Sequence, residues 1–518
     1  MIAPEQGPVS LPVVGWQRWF LPDLSLFLFA VTLLYSLIFF DAPSQLFRDS
    51  DTGWHIRNGE SILREHRLPH TDPYSFSKAG QTWLPWEWAS DVLMGWAHQT
   101  GGLRGVTLLY LTLIGWCSWF WVRLHWAAGG NFLLACLFAM PMLSTVNLHW
   151  LARPHVFSWL FLLGALLWLE KGPRKLRRRD ALVVVVGTAA WTNFHASFPL
   201  AVLLPLLYGM GHALAPLIWT VDREKHFDQA RWCFRVMPLA LGATLLNPFG
   251  PAVHLHIVRY LGNTELLARI GEFQSFNFHS AGAWQIVLTM MLAIAGAVAA
   301  LVCGRLGSFF VMVLFAAGAL RSARGLPVLA LVALPLANGA FTRLMAQIRD
   351  FQPGVSQGIQ NSLAYFDRLR LIDAQLRGWI VVPLILGLAF VVLHAPEVAR
   401  RTGFPATEFP VGAASEVEKL PPDARLLAPD KYGGYLIFRF AGTRKVYFDG
   451  RSDFYGVDFM KEYIRLAEVR PGWVQILENH GFTHALLPNE YSLIPALERL
   501  GWEKIFADKT STLLKRNF

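Results

Sequence analysis

Charge is scarce in this 518-residue chain: Asp, Glu, Lys and Arg together make up 16% of it, against 54% hydrophobic residues. Soluble globular domains carry about 25% charged residues, so this composition excludes that class and makes the bilayer the expected solvent. Cysteine is scarcer still. Cys117, Cys136, Cys233 and Cys303 are widely spaced and lie in or beside apolar segments, which yields neither a disulfide framework nor a metal-ligand spacing. There is no internal repeat and no low-complexity tract. The formal net charge is +10, but no basic stripe interleaved with stacking aromatics accompanies it, so no nucleic-acid partner is expected. Lys and Arg gather instead in short connections between apolar segments, where membrane topology requires them.

What is abundant is apolar and aromatic. The chain holds 21 Trp and 37 Phe, and Trp16, Trp19, Trp54, Trp83, Trp86, Trp88 and Trp96 cluster at the ends of apolar runs, where amphipathic rings sit at headgroup level. The first run, Leu21 to Phe40, is long enough to span the hydrocarbon core and reads as an uncleaved first helix. Further runs lie at Val106 to Leu124, Phe132 to Val146, Phe157 to Leu169, Ala181 to Phe198, Leu200 to Trp219, Phe234 to Leu246, Ala283 to Val302, Ser308 to Leu320, Leu326 to Ala340 and Trp379 to Leu393. The expectation is a polytopic α-helical membrane protein of about eleven transmembrane helices. Lys171 to Arg179, Asp222 to Arg235 and Arg343 to Arg377 are basic and fall on one side, taken as cytoplasmic together with the amino terminus. The first outer loop, 41–105, and the tail then lie on the other side.

From about Pro396 charge rises, apolar runs shorten to strand length and turn residues punctuate them. Residues 396–518 read as a soluble α/β domain following a transmembrane domain at 1–395. Strands are expected at Arg425 to Leu427, Tyr435 to Phe440, Lys445 to Phe448, Ala485 to Leu487 and Thr512 to Lys515, and helices near Phe459 to Glu468, Val474 to Asn479 and Leu493 to Leu500.

The suspicious polar residues gather on the outer face. Asp49 and Asp51 leave the first membrane helix as an Asp-x-Asp pair, followed by His55, Arg57 and Glu60, then Asp72, and then Glu87 and Asp91 beside Trp86 and Trp88. Such carboxylates can accept a proton from an attacking hydroxyl or hold a divalent ion such as Mg²⁺ or Mn²⁺ by oxygen ligation. The plainer reading is a solvated loop whose Asp caps a helix beginning near Trp54. Arg153 and His155 flank Pro154 at the outer end of two runs; a planar guanidinium there suits a phosphate, with snorkelling to headgroups as the plain alternative. Asn193 and His195 end the fifth run. Asn247-Pro-Phe-Gly250 opens a loop with His254, His256, Arg259, Glu265 and Glu272, in which a zinc site is weakly suggested. Arg321 and Arg324 sit in an outer loop against the positive-inside rule; an anionic lipid phosphate would account for them, as would an error of one in the helix count.

Taken together, Asp49-Ser-Asp51-Thr-Gly-Trp-His55-Ile-Arg57-Asn-Gly-Glu60, Leu-Pro-His-Thr-Asp72-Pro-Tyr-Ser, Trp86-Glu87-Trp-Ala-Ser-Asp91, Ala-Arg153-Pro-His155, Asn193-Phe-His195, Asn247-Pro-Phe-Gly and Arg321-Ser-Ala-Arg324 resemble the bacterial membrane glycosyltransferases of the GT-C fold, in particular the RgtA/B/C/D-like and dolichyl-phosphate-mannose mannosyltransferase-like set. The tail, with Gly433-Gly434-Tyr-Leu-Ile and Tyr447-Phe-Asp449-Gly-Arg451, resembles that set's carboxy-terminal extension. The resemblance covers nearly the whole chain. It implies a multi-pass protein of the bacterial inner membrane with site and tail on the extracytoplasmic side, a donor such as undecaprenyl-phosphate sugar, and inverting displacement with polyprenyl phosphate leaving. Asp51 or Asp49 would be the base; Arg153, Arg321, Arg324 and His195 would steady the phosphate, and His55, Arg57, Glu60, Glu87, His155 and Asn193 would line the substrate site. Many relatives carry Asp-Glu where this chain has Asp-Ser-Asp-Thr-Gly, so the choice of base and the need for a metal stay open. The chief rival is a transporter, flippase or assembly protein for a lipid-linked envelope glycan, disfavoured because no repeat is visible and the ionisable residues gather at one face. Two further options place function in the tail: a carbohydrate-binding module using Tyr432, Tyr435, Tyr447, Phe454 and Tyr455, or a nucleotide site at Gly433-Gly434. Alternating aromatics are more often core, and the glycines precede an expected strand rather than link strand to helix.

Overall fold

The computed structural model describes residues 15–172, 176–347 and 353–517. Parts of the basic segments used for orientation, at 173–175 and 348–352, and the first fourteen residues lie outside the described residues.

Every apolar run falls on a helix: Leu24–Ile38, Trp88–Ala127, Phe132–Val146, His155–Lys171, Arg178–Phe194, Leu200–Ile218, Arg223–Ala243, Ala283–Val302, Leu306–Arg321, Gly325–Gln347 and Val381–His394. Five helices, Trp88–Ala127, Phe132–His149, Leu200–Ile218, Ala283–Val302 and Gly325–Gln347, are long and apolar enough by length and composition to cross a bilayer. Asp23 and Asn131 cap their helices by accepting the Leu26 and Leu133 amide hydrogens. Gly325–Gln347 is the central helix, with Leu326, Pro327 and Leu329 to Ala340 buried, whereas Leu217, Met291 and Val391 on peripheral helices are exposed. Apolar side chains facing outward around a buried centre are what a helix bundle in lipid requires.

Trp88–Ala127 is two helices joined across a kink at Gly102, where φ is +60°. Preceding it, the Asp51–Glu65 helix lies against the Asp430–Arg439 helix of the tail. The contact is backbone to backbone: a β-carbon on Gly53 would overlap the Gly434 carbonyl, and one on Gly434 would overlap the Ser50 carbonyl. Gly434→Ala is expected to lower stability by about 1–3 kcal/mol, because the two helices must separate; thermal unfolding in detergent would show it, and an unchanged transition would disprove the close approach.

The tail sheet has the order β1 (Leu426–Leu427), β2 (His484–Pro488), β4 (Ser511–Lys515), β3 (Glu503–Ala507); β1 runs parallel to β2 and the other pairs are antiparallel. Tyr435 to Phe440, expected as a strand, is largely the Asp430–Arg439 helix. Its run of bulky apolar residues is buried on several sides, so packing overrides β propensity. Lys445 to Phe448 forms no tail strand; it is extended and pairs Val446 with Ser75 of the first outer loop, with Val446 N–H donating to Tyr74 O at 3.0 Å. β3 was not anticipated, since its side chains are mostly exposed and offer no apolar run. Trp54, Tyr74 and Trp83 of the outer loop share one core with Phe409, Tyr432, Tyr435 and Leu486 of the tail. Tyr432 and Tyr435 are buried there, and Tyr447 and Tyr455 in a second core of the tail, so none of the four can stack on a sugar. Gly433 and Gly434 serve helix packing: a β-carbon on Gly433 would overlap the Phe448 carbonyl.

Candidate functional site

Arg153 is delivered to the Asp49–Asp51 turn by its neighbour. Ala152 N–H donates to Leu46 O at 2.9 Å, and Ala152 O accepts from Thr52 Oγ1 at 3.0 Å, so the segment is bonded on both sides of the turn. The guanidinium then reaches Asp49 Oδ2 at 2.8 Å, Asp51 Oδ2 at 2.8 Å and Glu272 Oε1 at 3.1 Å. The remaining oxygens are also engaged: Asp49 Oδ1 accepts from Asp51 N–H at 2.9 Å, and Asp51 Oδ1 accepts from Trp54 Nε1 at 3.1 Å. The helix begins at Asp51 rather than near Trp54, and its N-cap is Ser50 with no side-chain cap bond, so neither Asp serves as the expected N-cap. Arg324 pairs with the other oxygen of Glu272. Its loop is held there by Ala323 N–H donating to Gln274 O and Ser322 Oγ donating to Glu272 O, each at 2.8 Å.

Three carboxylates and two guanidiniums are thus gathered at one end of the bundle. Burial pushes the Asp51 carboxyl up to about 7; Arg153 opposes this and Asp49 reinforces it. Burial would also raise Glu272, but Arg324 and Arg153 hold it well below the usual carboxylate range. For Arg153, burial favours loss of charge, yet Asp49, Asp51 and Glu272 keep it firmly protonated.

Glu87 stands beside this cluster at the start of the Trp88–Ala127 helix. Its nearest ionisable partners are His195 Nε2 at 3.6 Å and His55 Nε2 at 4.0 Å, both beyond good hydrogen-bond length. Burial, with Asp91 adding to it and Arg153 opposing it, pushes the Glu87 carboxyl up to about 8. His55 is fully buried; its Nδ1 lies 2.6 Å from Asp91 Oδ1, while Asn58 donates to Asp91 Oδ2 at 2.6 Å. Burial holds that imidazole well below its usual pKa, so it is neutral.

Behind His195 lies an apolar cavity of about 340 Å³ between the His155–Lys171, Arg178–Phe194 and Leu200–Ile218 helices, lined among others by Phe161, Trp168, Val184 and Trp191. Ser197 joins the two regions: it accepts from Trp191 Nε1 at 3.0 Å and lies 2.9 Å from His195 Nδ1.

The other expected residues fall elsewhere. Arg57 donates to Phe438 O at 2.8 Å and pairs with Glu60, which also meets His98, so this pair ties the outer-loop helix to the tail and to the Trp88–Ala127 helix. His155 Nε2 bonds His149 O at 2.8 Å. Asn193 accepts from Trp88 Nε1 at 2.8 Å and donates to Leu246 O at 2.9 Å, both structural contacts. Arg321 is exposed and forms no ion pair among the described residues. His254 and His256 lie on the Ala252–Gly262 helix and diverge, His254 toward Thr244 and His256 toward Asp453, so they do not converge on zinc. Among the described residues, no group of three or more His, Cys, Asp or Glu has metal-holding geometry. Arg153 already engages the Asp49, Asp51 and Glu272 carboxylates, so Mg²⁺ or Mn²⁺ would have to displace a guanidinium to reach them.

Asp453, in the tail, was not foreseen. Only the Asp449-Gly-Arg451-Ser-Asp453 string, dense in charge within an aromatic stretch, could have drawn attention to it.

No protein-family model matches the chain and no curated protein sequence matches it. Solved structures do. The archaeal oligosaccharyltransferase AglB from Archaeoglobus fulgidus, in complex with an inhibitory peptide and a dolichol-phosphate, aligns with TM-score 0.57 at 10% identity over 90% of this chain and 69% of its own. The Archaeoglobus fulgidus oligosaccharyltransferase in complex with Zn and sulfate aligns with TM-score 0.53 at 10% identity over 90% and 68%. ArnT from Cupriavidus metallidurans, bound to undecaprenyl phosphate, aligns with TM-score 0.47 at 14% identity over 95% and 96%. What this chain shares with the oligosaccharyltransferase is its fold, a GT-C-type helical bundle; in this chain the bundle is followed by a smaller part that contains a sheet.

Proposed function

We propose that this protein transfers a sugar from a polyprenyl-phosphate donor to an acceptor hydroxyl at the extracytoplasmic face of a bacterial-type inner membrane. The observation that carries this reading is Glu87, a largely buried carboxyl that meets His195 and His55 only at 3.6 and 4.0 Å, has no closer ionisable partner among the described residues, and feels the charge of both Arg153 and Arg324. A carboxyl with its pKa near the working pH is suited to general-base catalysis. The cavity is suited to a lipid chain, and the guanidiniums to its phosphate. The fold shared with a protein solved with dolichol-phosphate agrees with such a substrate.

In the proposed step the acceptor oxygen attacks the anomeric carbon and its proton passes to the Glu87 carboxylate. The bond from that carbon to the phosphate oxygen breaks, and its electron pair leaves on polyprenyl phosphate. Arg153 and Arg324 stabilise the charge that develops on the leaving phosphate, while Asp49, Asp51 and Glu272 hold those guanidiniums in place. The sequence points to Asp51 or Asp49 as the base, with the choice between them open; both oxygens of Asp49 are bonded, to Arg153 and to the Asp51 amide. Glu87 is preferred because both oxygens of Asp51 are already bonded. No step passes through a metal ion.

The test is release of lipid phosphate by the purified protein from a panel of polyprenyl-phosphate sugars, with candidate acceptors, in EDTA and then in Mg²⁺ or Mn²⁺. One donor should be consumed in EDTA. Arg153→Lys, which keeps charge but loses the planar fork, should lower turnover at least tenfold. Binding of lipid-linked glycan without turnover under any condition would replace this reading with transport or assembly.

A further inference from the structure

The tail turn Phe448 to Asp453 does not lie beside the site; it closes it. Gly450 is packed so tightly on Asp51 that a β-carbon there would overlap the carboxylate. The turn is rigid, because Arg451 forks onto Asp449 at 2.8 and 2.7 Å and also reaches Asp72 at 2.9 Å, all three buried. Immediately after it, Asp453 Oδ2 lies 2.9 Å from His256 Nε2, and Ser452 Oγ lies 3.1 Å from the Tyr260 hydroxyl. His256 meets the edge of Trp86, the neighbour of Glu87, with ring centroids 5.4 Å apart; Trp86 and Tyr260 stand at 6.5 Å. Both pair members are partly accessible, at 25% for His256 and 12% for Asp453, and His256 Nδ1 has no partner among the described residues. Asp453 is close enough for its charge to act on both Glu87 and His55.

Resting on the transferase reading, we propose that His256 and Asp453, flanked by Trp86 and Tyr260, form the subsite for the acceptor, and that the acceptor is an uncharged sugar. Arg153 and Arg324, which suit the donor phosphate, pair with Asp49, Asp51 and Glu272 and not with His256 or Asp453, which leaves the latter two for the attacking hydroxyl. An imidazole held by a carboxylate offers its free nitrogen to a hydroxyl, as donor or acceptor according to tautomer. Half-buried Trp and Tyr present apolar bodies with polar tips, which fits the mixed surface of a pyranose. The Asp453 carboxylate lies at that wall, on His256, and would repel a uronate or phosphorylated acceptor. Asp453 acts through His256 and is a positioning residue.

Saturation-transfer NMR on the full chain in lipid nanodiscs, with neutral methyl glycosides and methyl glucuronide as probes, tests this beside the lipid-phosphate assay. At least one neutral glycoside should show contact, at least tenfold weaker in His256→Gln and Asp453→Asn, persisting in Glu87→Gln, and at least tenfold weaker for the glucuronide. Absence of contact in the wild type, or equal contact in the His256 and Asp453 variants, overturns the subsite. If glycosides bind as expected while no donor is consumed, the transferase reading fails and the sugar subsite stands. If donor is consumed and the acceptor KM is unchanged in both variants, the subsite fails and the transferase reading stands.

Discussion

Glu87→Gln is expected to reduce kcat/KM for sugar transfer by about 10²- to 10⁴-fold, the range that a positioned general base contributes. Glutamine keeps the shape between His55 and His195 but cannot accept the proton, so donor binding should survive. The pH dependence makes the assignment specific. With the carboxyl raised to about 8, only its ionised form serves as a base, so kcat/KM should rise about tenfold per unit as pH increases and level off above about 8. In Glu87→Gln that limb should vanish. If Asp51 were the base, the break would fall near 7, survive in Glu87→Gln and disappear in Asp51→Asn. The same group shapes stability with a definite sign. Between its ordinary value of 4.5 and its folded value of about 8 it is protonated in the native chain and ionised in the unfolded one. Folding therefore takes up a proton, and the stability contribution present at low pH is lost as pH rises through that window. Melting temperature should fall from pH 5 to pH 8 more steeply in the wild type than in Glu87→Gln.

Arg451→Met should destabilise the protein by about 3–5 kcal/mol, the usual consequence of removing one partner from a buried ion pair. Arg451 is buried between Asp449 and Asp72; Asp449 also accepts from the Tyr455 hydroxyl at 2.9 Å, and Asp72 from the Tyr74 and Ser75 amides at 3.0 and 2.9 Å. Trp83 lies 4.7 Å below the guanidinium. Burial alone would favour a neutral side chain, but Asp449 and Asp72 hold it charged. Methionine fills much of the volume and leaves both carboxylates without their cation. Since Asp72 belongs to the outer loop and Asp449 to the tail, denaturation should show the tail loosening from the loop, with earlier proteolysis near residue 450. Adding Asp72→Asn and Asp449→Asn to Arg451→Met should recover part of the loss, because no unpaired charge would remain. A change below about 1 kcal/mol in Arg451→Met would mean that the cluster does not join the two regions.

Much of the site was legible as local chemistry. Asp49, Asp51, Arg153, Glu87, His55, His195 and Arg324 were each visible as ionisable residues at one end of an apolar run, where charge has to be accounted for. Their roles were not. The Asp-x-Asp spacing suggested a base or a metal ligand, and only the approach of Arg153 from about a hundred residues away fills both carboxylates. Arg57 and Glu60 carry the same residue types, yet their helix turns them toward Phe438 and His98. Asp453 and the cradle at Gly450 gave no sequence signal, because their meaning depends on a fold-back from the far end of the chain.

By itself the sequence determined the solvent, the helices and the face on which polar residues collect. Hydrophobicity over some twenty residues and basic residues at run ends act locally, through the transfer of each segment into lipid. Tertiary structure alone decided that Tyr435 to Phe440 is helical rather than extended, that Val446 pairs with the outer loop, and which carboxyl is left without a partner. Those outcomes depend on close packing and on long-range ion pairing, in which one guanidinium engages three acids, Asp49, Asp51 and Glu272, while Glu87, largely buried, has no ionisable partner closer than 3.6 Å among the described residues.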